Sequence, residues 1–93
     1  MSVTVRVPTV LRSATNGQRT VSLEGATVGD VLGRLVESHP ATGPQIFTDD
    51  GQLHRFLNVY VNDDDVRYLG GLGAPVADGD EVTLLPAVAG GAA

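Results

Sequence analysis

Apolar and polar residues alternate in three short segments of the chain, which is the period-two pattern of a half-buried strand. The first has apolar residues at Val3, Val5 and Val7, and the second covers residues 19 to 24. The third, later in the chain, has apolar residues at Leu57, Val59 and Val61. Asn16-Gly17 is a turn signal between the first two segments. The pattern therefore predicts an antiparallel hairpin with a long loop, and a third strand well beyond it.

A different spacing follows the hairpin and predicts one helix. Its apolar stripe has the three- and four-residue steps of a helical face, and consists of Val28, Val31, Leu32, Leu35 and Val36. Thr27 is a suitable N-cap, with Asp30 three residues later in place of the usual Glu of a capping box. Pro40 is expected to end the helix, because proline cannot continue it.

The second half of the chain predicts irregular structure over residues 40 to 55, with Ile46 and Phe47 in the core. Turns are expected at residues 62–65 and at Asp78-Gly79-Asp80, with a short return strand from Val66 to Leu69. The last strand is predicted from about Glu81 to Leu85, and Pro86 should end its pairing. The order β-β-α-β-β-β, with one helix on a mixed sheet, predicts a two-layer α+β sandwich. Residues 1–86 are expected to form this single domain, and residues 87–93 a flexible tail.

Composition excludes several classes of function. The net charge of −5 over 93 residues argues against a nucleic-acid partner and favours a basic docking surface. Without cysteine, the chain has no disulfide, thiol nucleophile or thiolate metal site. Neither a membrane-spanning segment nor a secretory signal is recognisable, so a cytoplasmic protein is expected. All six basic residues are arginine; codon usage explains this, and so would a need to keep amines away from an activated acyl group.

The polar residues offer little chemistry of their own. Asp63-Asp64-Asp65 lacks the spaced ligands of a calcium loop and fits a solvated hairpin turn better. His39 and His54 are far apart in sequence and have no third ligand nearby, so no metal site is predicted. No serine lies in a nucleophile motif. The chain is therefore expected to be acted on by enzymes rather than to be one.

The C-terminal segment is the candidate for chemistry. After Pro86 it has only small or thin residues, Val88 and Ala89 among them, and then Gly90 and Gly91. Because glycine has no Cβ, another molecule can approach its carbonyl closely. The segment is either a frayed terminus or an arm that enters a narrow channel of a partner.

Three parts of the sequence carry a resemblance to a known family, and they are Val59-Tyr60-Val61-Asn62-Asp63, Leu72, and the run from Asp78 to Gly91. Together they resemble the β-grasp (ubiquitin-like) sulfur carriers of thiamin, molybdopterin and cysteine synthesis, the ThiS/MoaD-like family. The segment Leu53-His54-Arg55-Phe56 is most similar to the mycobacterial type of carrier that feeds cysteine synthesis. The resemblance covers nearly the whole chain and implies the β-grasp fold.

The resemblance also implies a mechanism in which Gly91 holds the reacting carbonyl, Gly90 gives slender access, and Val88 and Ala89 seat the arm. An E1-like adenylyltransferase/sulfurtransferase with ATP would convert the Gly91 carboxylate to a thiocarboxylate. A PLP-dependent cysteine synthase would accept the sulfur, and a zinc-dependent peptidase of the JAMM type would release cysteine. ATP, PLP and zinc would all belong to the partners, and none to this chain. Alternatives are the small subunit of molybdopterin synthase or a thiamin carrier, and, in another class, a ubiquitin-like protein modifier or binding module.

The sequence departs from the family pattern at its end, because Ala92 and Ala93 follow Gly91. The Gly91 carbonyl is then in a peptide bond and cannot be adenylated. A peptidase, for which the zinc peptidase is the natural candidate, is expected to remove both alanines first. The alternative is that they are a cloning or annotation artefact.

A docking surface is predicted on the exposed side of the last strands. Its apolar contacts would be Leu69, Leu72, Leu85 and Val88. An acidic rim that steers association would consist of Asp63, Asp64, Asp78 and Asp80. Core packing is the competing explanation for any of these leucines.

Overall fold

A mixed five-stranded sheet carries one long helix on one face in the computed structural model, which describes residues 2–86. The strands are β1 (Ser2–Arg6), β2 (Thr20–Glu24), β3 (Leu57–Val61), β4 (Asp64–Asp65) and β5 (Glu81–Pro86). Their order across the sheet is β2-β1-β5-β3-β4. Strands β1 and β5 are parallel, and the other neighbours are antiparallel. The predicted α+β class and the antiparallel β1–β2 hairpin are confirmed.

The helices are α1 (Val28–Ser38) and the short α2 (Gly43–Ile46). Shorter 3-10 helices are found at Thr9–Thr15, Pro40–Thr42, Val66–Tyr68 and Gly71–Gly73, and the second of these joins α1 to α2. The predicted N-cap of α1 is confirmed, because the Asp30 amide donates to the Thr27 hydroxyl oxygen at 3.2 Å. The Asp30 carboxylate in turn accepts from the Ala26 amide at 3.3 Å. As predicted, Pro40 follows the end of the helix.

The core lies between α1 and the inner face of the sheet. Alternation along the strands places one set of side chains inward, and Val5 lies beside Val82 where β1 and β5 pair. The predicted helical stripe meets them, and all of it is buried except Val36, which packs at the edge. Ile46 is fully buried and Phe47 packs against the core, as predicted.

The prediction of a return strand from Val66 to Leu69 is wrong. The turn after β3 is tighter, because Asn62 adopts a left-handed conformation (φ 55°) and β4 pairs already at Asp64–Asp65. The Asp65 carboxylate then accepts the Arg67 amide at 2.8 Å and starts a 3-10 turn, with Val66 buried. Side-chain capping of this kind competes with strand pairing.

Residues 9–15 and 40–46 were expected to be irregular, but they form short helical segments. The predicted turn at Asn16-Gly17 is present, with positive φ at both residues. Between residues 2 and 86, none of the helices has the length and apolar character that crossing a membrane would require.

Candidate functional site

The segment predicted to carry the chemistry comes directly after the central strand of the sheet. Strand β5 lies between β1 and β3 and is described to Pro86, which pairs with Leu57. The predicted tail residues Val88, Ala89, Gly90 and Gly91 lie outside the described residues, so their roles stay predictions. What the structure gives is the place from which the tail leaves, in the middle of one end of the sheet.

We call this the tail end of the sheet, where β1 and β5 finish and β3 begins. Exposed apolar side chains surround Pro86 there: Val10 is 62% exposed, Phe56 50% and Leu85 45%. Val10, Phe56 and Pro86 line one shallow cavity of about 270 Å³ between the first 3-10 helix, α2 and the start of β3. We refer to Val10, Phe56, Leu85 and Pro86 as the tail collar.

Two collar residues, Val10 and Phe56, were not among the predicted site residues. Val10 lies in a segment expected to be a loop, where no periodicity assigns a face. Phe56 is a large apolar residue directly before the alternating run that starts at Leu57, so it falls out of phase with the buried positions. The position of Phe56 one residue before the first buried position of the alternating run was the one signal in the sequence for an exposed aromatic side chain. The centroid of the Phe56 ring lies 5.5 Å from that of the His54 ring, and the two rings are tilted by 39°.

Leu85 also faces the outer side of the sheet, which α1 does not cover. A groove of about 480 Å³ runs along this side, and its lining residues include Arg6, Arg12, Tyr60, Thr83 and Leu85. Arg6 and Glu81 form an exposed ion pair across it at 3.6 Å. An ion pair so exposed adds little stability, so both side chains remain available to a partner.

The other two predicted leucines lie elsewhere. Leu69 is 38% exposed and adjoins Tyr68, which is 86% exposed, after the 3-10 turn that follows β4. Leu72 is half-buried, packs against the core and touches the first turn of α1 at Gly29. The structure therefore does not bring Leu69, Leu72 and Leu85 together on one strand face.

The predicted acidic rim lies at the opposite end of the sheet. Asp78 accepts the Ser2 amide at 2.8 Å, and Asp80 accepts the Ala77 amide at 2.8 Å. Both carboxylates thus hold the turn that leads into β5. Asp63 and Asp64 are exposed at the turn between β3 and β4. Because β3 runs antiparallel to β5, this turn adjoins the start of β5 and is remote from Pro86.

Residues 5–91 match the ThiS family. The chain belongs to the ThiS family. It is 50% identical over 93 residues to the sulfur carrier protein CysO of Mycobacterium tuberculosis, which covers 98% of this chain and 100% of the relative. It is 44% identical over 78 residues to small archaeal modifier protein 1 of Haloferax volcanii, covering 81% of this chain and 85% of the relative.

The solved structure of the BexX/CysO complex of Amycolatopsis orientalis superposes with a TM-score of 0.87 at 48% identity, over 92% of this chain and 96% of that one. The predicted β-grasp fold and membership of the sulfur-carrier family are confirmed. These ThiS-family relatives are carriers and modifiers, so the chain belongs to a group of small proteins that are not enzymes themselves.

Two carboxylates of this ThiS-family chain have lowered pKa values because they accept hydrogen bonds from neighbouring side chains. Arg67 pairs with Asp65 at 2.6 Å, and hydrogen bonds from its side chain and then its backbone hold the pKa of Asp65 below its usual value. The same pairing raises the pKa of Arg67. The hydrogen bond from the Thr48 hydroxyl likewise lowers the pKa of Asp50. Over residues 2–86, no group of three His, Asp or Glu side chains converges as a metal site requires.

Proposed function

We propose that this chain is a sulfur carrier for cysteine synthesis, and that its Gly91 carboxylate, once freed, is adenylated and converted to a thiocarboxylate. The observation that carries the proposal is the extent of the family match, which runs beyond the described residues and ends at Gly91. The identity of 50% to a sulfur carrier named CysO supports it. The chemistry is thus assigned to the segment that follows β5.

The chemistry divides between the chain and its partners. A carboxylate is a poor electrophile, so ATP first provides a leaving group: the Gly91 carboxylate displaces pyrophosphate and becomes an acyl-adenylate. A sulfur donor then displaces AMP and leaves the thiocarboxylate, a soft nucleophile. An E1-like adenylyltransferase/sulfurtransferase would perform both steps. This chain contributes a carbonyl without neighbouring bulk, because Gly90 and Gly91 have no Cβ.

Delivery of the sulfur would follow on two further partners. The thiocarboxylate sulfur would add to an aminoacrylate on a PLP-dependent cysteine synthase, and an S-to-N acyl shift would leave cysteine amide-linked to Gly91. A zinc-dependent peptidase of the JAMM type would cut that amide. The same peptidase is our candidate for removing Ala92-Ala93, since both reactions cleave the bond after Gly91. One relative, the CysO of Amycolatopsis orientalis, has been solved in complex with another protein, BexX.

A protein-modifier role is the second candidate, and the identity of 44% to small archaeal modifier protein 1 favours it. In that role the Gly91 carbonyl would be transferred to an amine of another protein. The two roles share the adenylation step and differ in the nucleophile that follows. Isopeptide-linked Gly91 on cellular proteins would support the modifier role.

The test is intact-mass spectrometry after incubation with an E1-like adenylating enzyme, ATP and sulfide. Three forms are compared: the chain ending at Gly91, the chain with Ala92-Ala93, and a chain ending at Gly90. We expect one oxygen-to-sulfur exchange in the form ending at Gly91 alone. Exchange in none of the forms, or equal exchange in all three, would contradict the proposal.

A further inference from the structure

The length of the tail limits where a partner can be. Gly91 is the fifth residue after Pro86, and a fully extended chain of five residues spans at most about 18 Å. An active site that reaches the Gly91 carbonyl therefore lies within about 18 Å of Pro86. A protein that encloses this segment in a channel has to rest its channel mouth on the tail end of the sheet.

That end of the sheet has an apolar surface suited to such a contact. Large apolar side chains that remain exposed are few in residues 2–86, and three of them, Val10, Phe56 and Leu85, belong to the tail collar. Val10 and Phe56 flank Pro86 from the side of β1 and from the side of β3, and Leu85 precedes Pro86 on the outer side of the sheet. The centre of a protein interface is more apolar than its rim and is enriched in aromatic residues, which fits Phe56 and its apolar neighbours.

The charges differ between the two ends of the sheet. Arg6, at the end of β1, is paired with Glu81 and does not count toward this difference. Three other arginines lie at the tail end. Arg12 follows β1, and Arg19 is placed beside Val7 by a backbone hydrogen bond of 2.8 Å. Arg55 is exposed and directly precedes Phe56. The acidic residues that end or connect strands at the opposite end are Glu24, Asp63, Asp64, Asp78 and Asp80.

We infer that the tail collar and its arginines form the docking surface for the adenylating enzyme, whose channel mouth is apolar at the centre and acidic at the rim. This inference rests on the proposed function. It reverses the sign of the partner expected from the net charge of −5. The net charge describes the whole chain, whereas exposed charges act on a partner mainly within a Debye length of about 10 Å.

The experiment measures the KM and kcat of adenylation for the chain ending at Gly91, with the enzyme that thiocarboxylates it. Phe56→Ser and Val10→Ser each remove one collar contact, and we expect KM to rise about tenfold for Phe56→Ser, equivalent to about 1.4 kcal/mol. The kcat should stay within about twofold, because the tail is unchanged. Tyr68→Ser is the matched control, since Tyr68 is more exposed but lies outside the collar. Melting curves confirm that each variant is folded.

A second pair of variants tests the charge. Arg55→Glu makes the chain more negative by two charges, and Glu24→Arg, at the opposite end, makes it more positive by two. An acidic rim predicts that Arg55→Glu raises KM about tenfold and weakens the dependence of KM on salt, while Glu24→Arg leaves KM within about twofold. A lower KM for Arg55→Glu would mean that the net charge decides and would overturn the inference.

The outcomes separate the inference from the proposed function. If the unsubstituted chain ending at Gly91 is thiocarboxylated but both collar variants keep its KM, the docking surface lies elsewhere and the proposed function stands. If the unsubstituted chain ending at Gly91 is not adenylated at all, the proposed function fails and the docking inference fails with it.

Discussion

Two glycines in α1 make a paired test of how the segment around Leu72 is packed. Replacing Gly33 by alanine adds a Cβ that meets no atom within 4 Å. Replacing Gly29 by alanine places a Cβ 3.0 Å from the Leu72 carbonyl oxygen and 3.4 Å from the Leu72 Cβ. The two changes are chemically identical and lie four residues apart on one helix, so they differ mainly in this contact.

The expected magnitudes follow from helix propensity and sterics. In a helix interior alanine is favoured over glycine by about 0.8–1.0 kcal/mol, so Gly33→Ala should raise the free energy of unfolding by about that amount. Gly29 is in the first turn, where the gain is smaller, and the Leu72 backbone has to shift. That shift is resisted because the next residues are fixed to α1, with the Val28 amide donating to the Ala74 carbonyl at 2.9 Å. We expect Gly29→Ala to be neutral or destabilising.

Thermal unfolding followed by circular dichroism measures both variants. A gain of 1 kcal/mol corresponds to about 4–8 °C in Tm for a domain of this size, so Gly33→Ala should melt several degrees above the wild type and Gly29→Ala at or below it. If Gly29→Ala is as stabilising as Gly33→Ala, the segment around Leu72 is free to move away from the helix. Leu72 would then be available to a partner, as the sequence led us to expect.

Three further predictions concern other parts of the domain. Thr27→Ala removes the N-cap of α1 and should lower the free energy of unfolding by about 1 kcal/mol, measured by urea denaturation. Asp65→Asn should lower Tm at neutral pH. Because the hydrogen bonds from Arg67 lower the pKa of Asp65, this stabilisation is complete above the ordinary carboxyl pKa of about 3.9 and is lost as pH falls through the folded-state pKa. The difference in Tm between the wild type and Asp65→Asn should therefore disappear in acid, and a difference that does not change with pH would refute this. Leu72→Arg should lower Tm more than Leu69→Arg, because Leu72 is half-buried against the core and Leu69 is more exposed; equal melting curves would contradict the packing.

Strands and the long helix were predictable from the sequence because a periodic pattern records which face is buried. The alternation of β3 and the helical stripe of α1 both correspond to buried side chains. The 3-10 helices were not predictable in this way. They are too short for a period to emerge, and local side-chain caps decide them, as Asp65 does for the turn at Val66–Tyr68. The same cap explains why the expected return strand is absent.

For the candidate site, the sequence predicts the chemistry, an acyl terminus at Gly90-Gly91 after a proline, and that chemistry stays a prediction. No pattern indicated what surrounds the start of that segment. Val10 and Phe56 are far apart in sequence, and only the parallel pairing of β1 with β5 and the antiparallel pairing of β3 with β5 bring them to Pro86. The acidic residues were expected to form a rim around the apolar contacts of the last strands, whereas the strand directions put them at the end of the sheet opposite Pro86.

The position of β5 fits the proposed delivery of the C-terminal segment. On that proposal, a partner that binds the segment would pull on β5 at Pro86. An edge strand could peel away from one neighbour, but β5 has β1 on one side and β3 on the other. Its inward residues Val82 and Leu84 are buried beneath α1. Detaching β5 would break its backbone hydrogen bonds to both β1 and β3 and would open the core at the same time. Binding of the residues after Pro86 would therefore not release further residues of β5 from the sheet. On the proposed function, the reach of Gly91 would be set by the five residues beyond Pro86, and the surface around Pro86 would have to meet an enzyme that acts on Gly91.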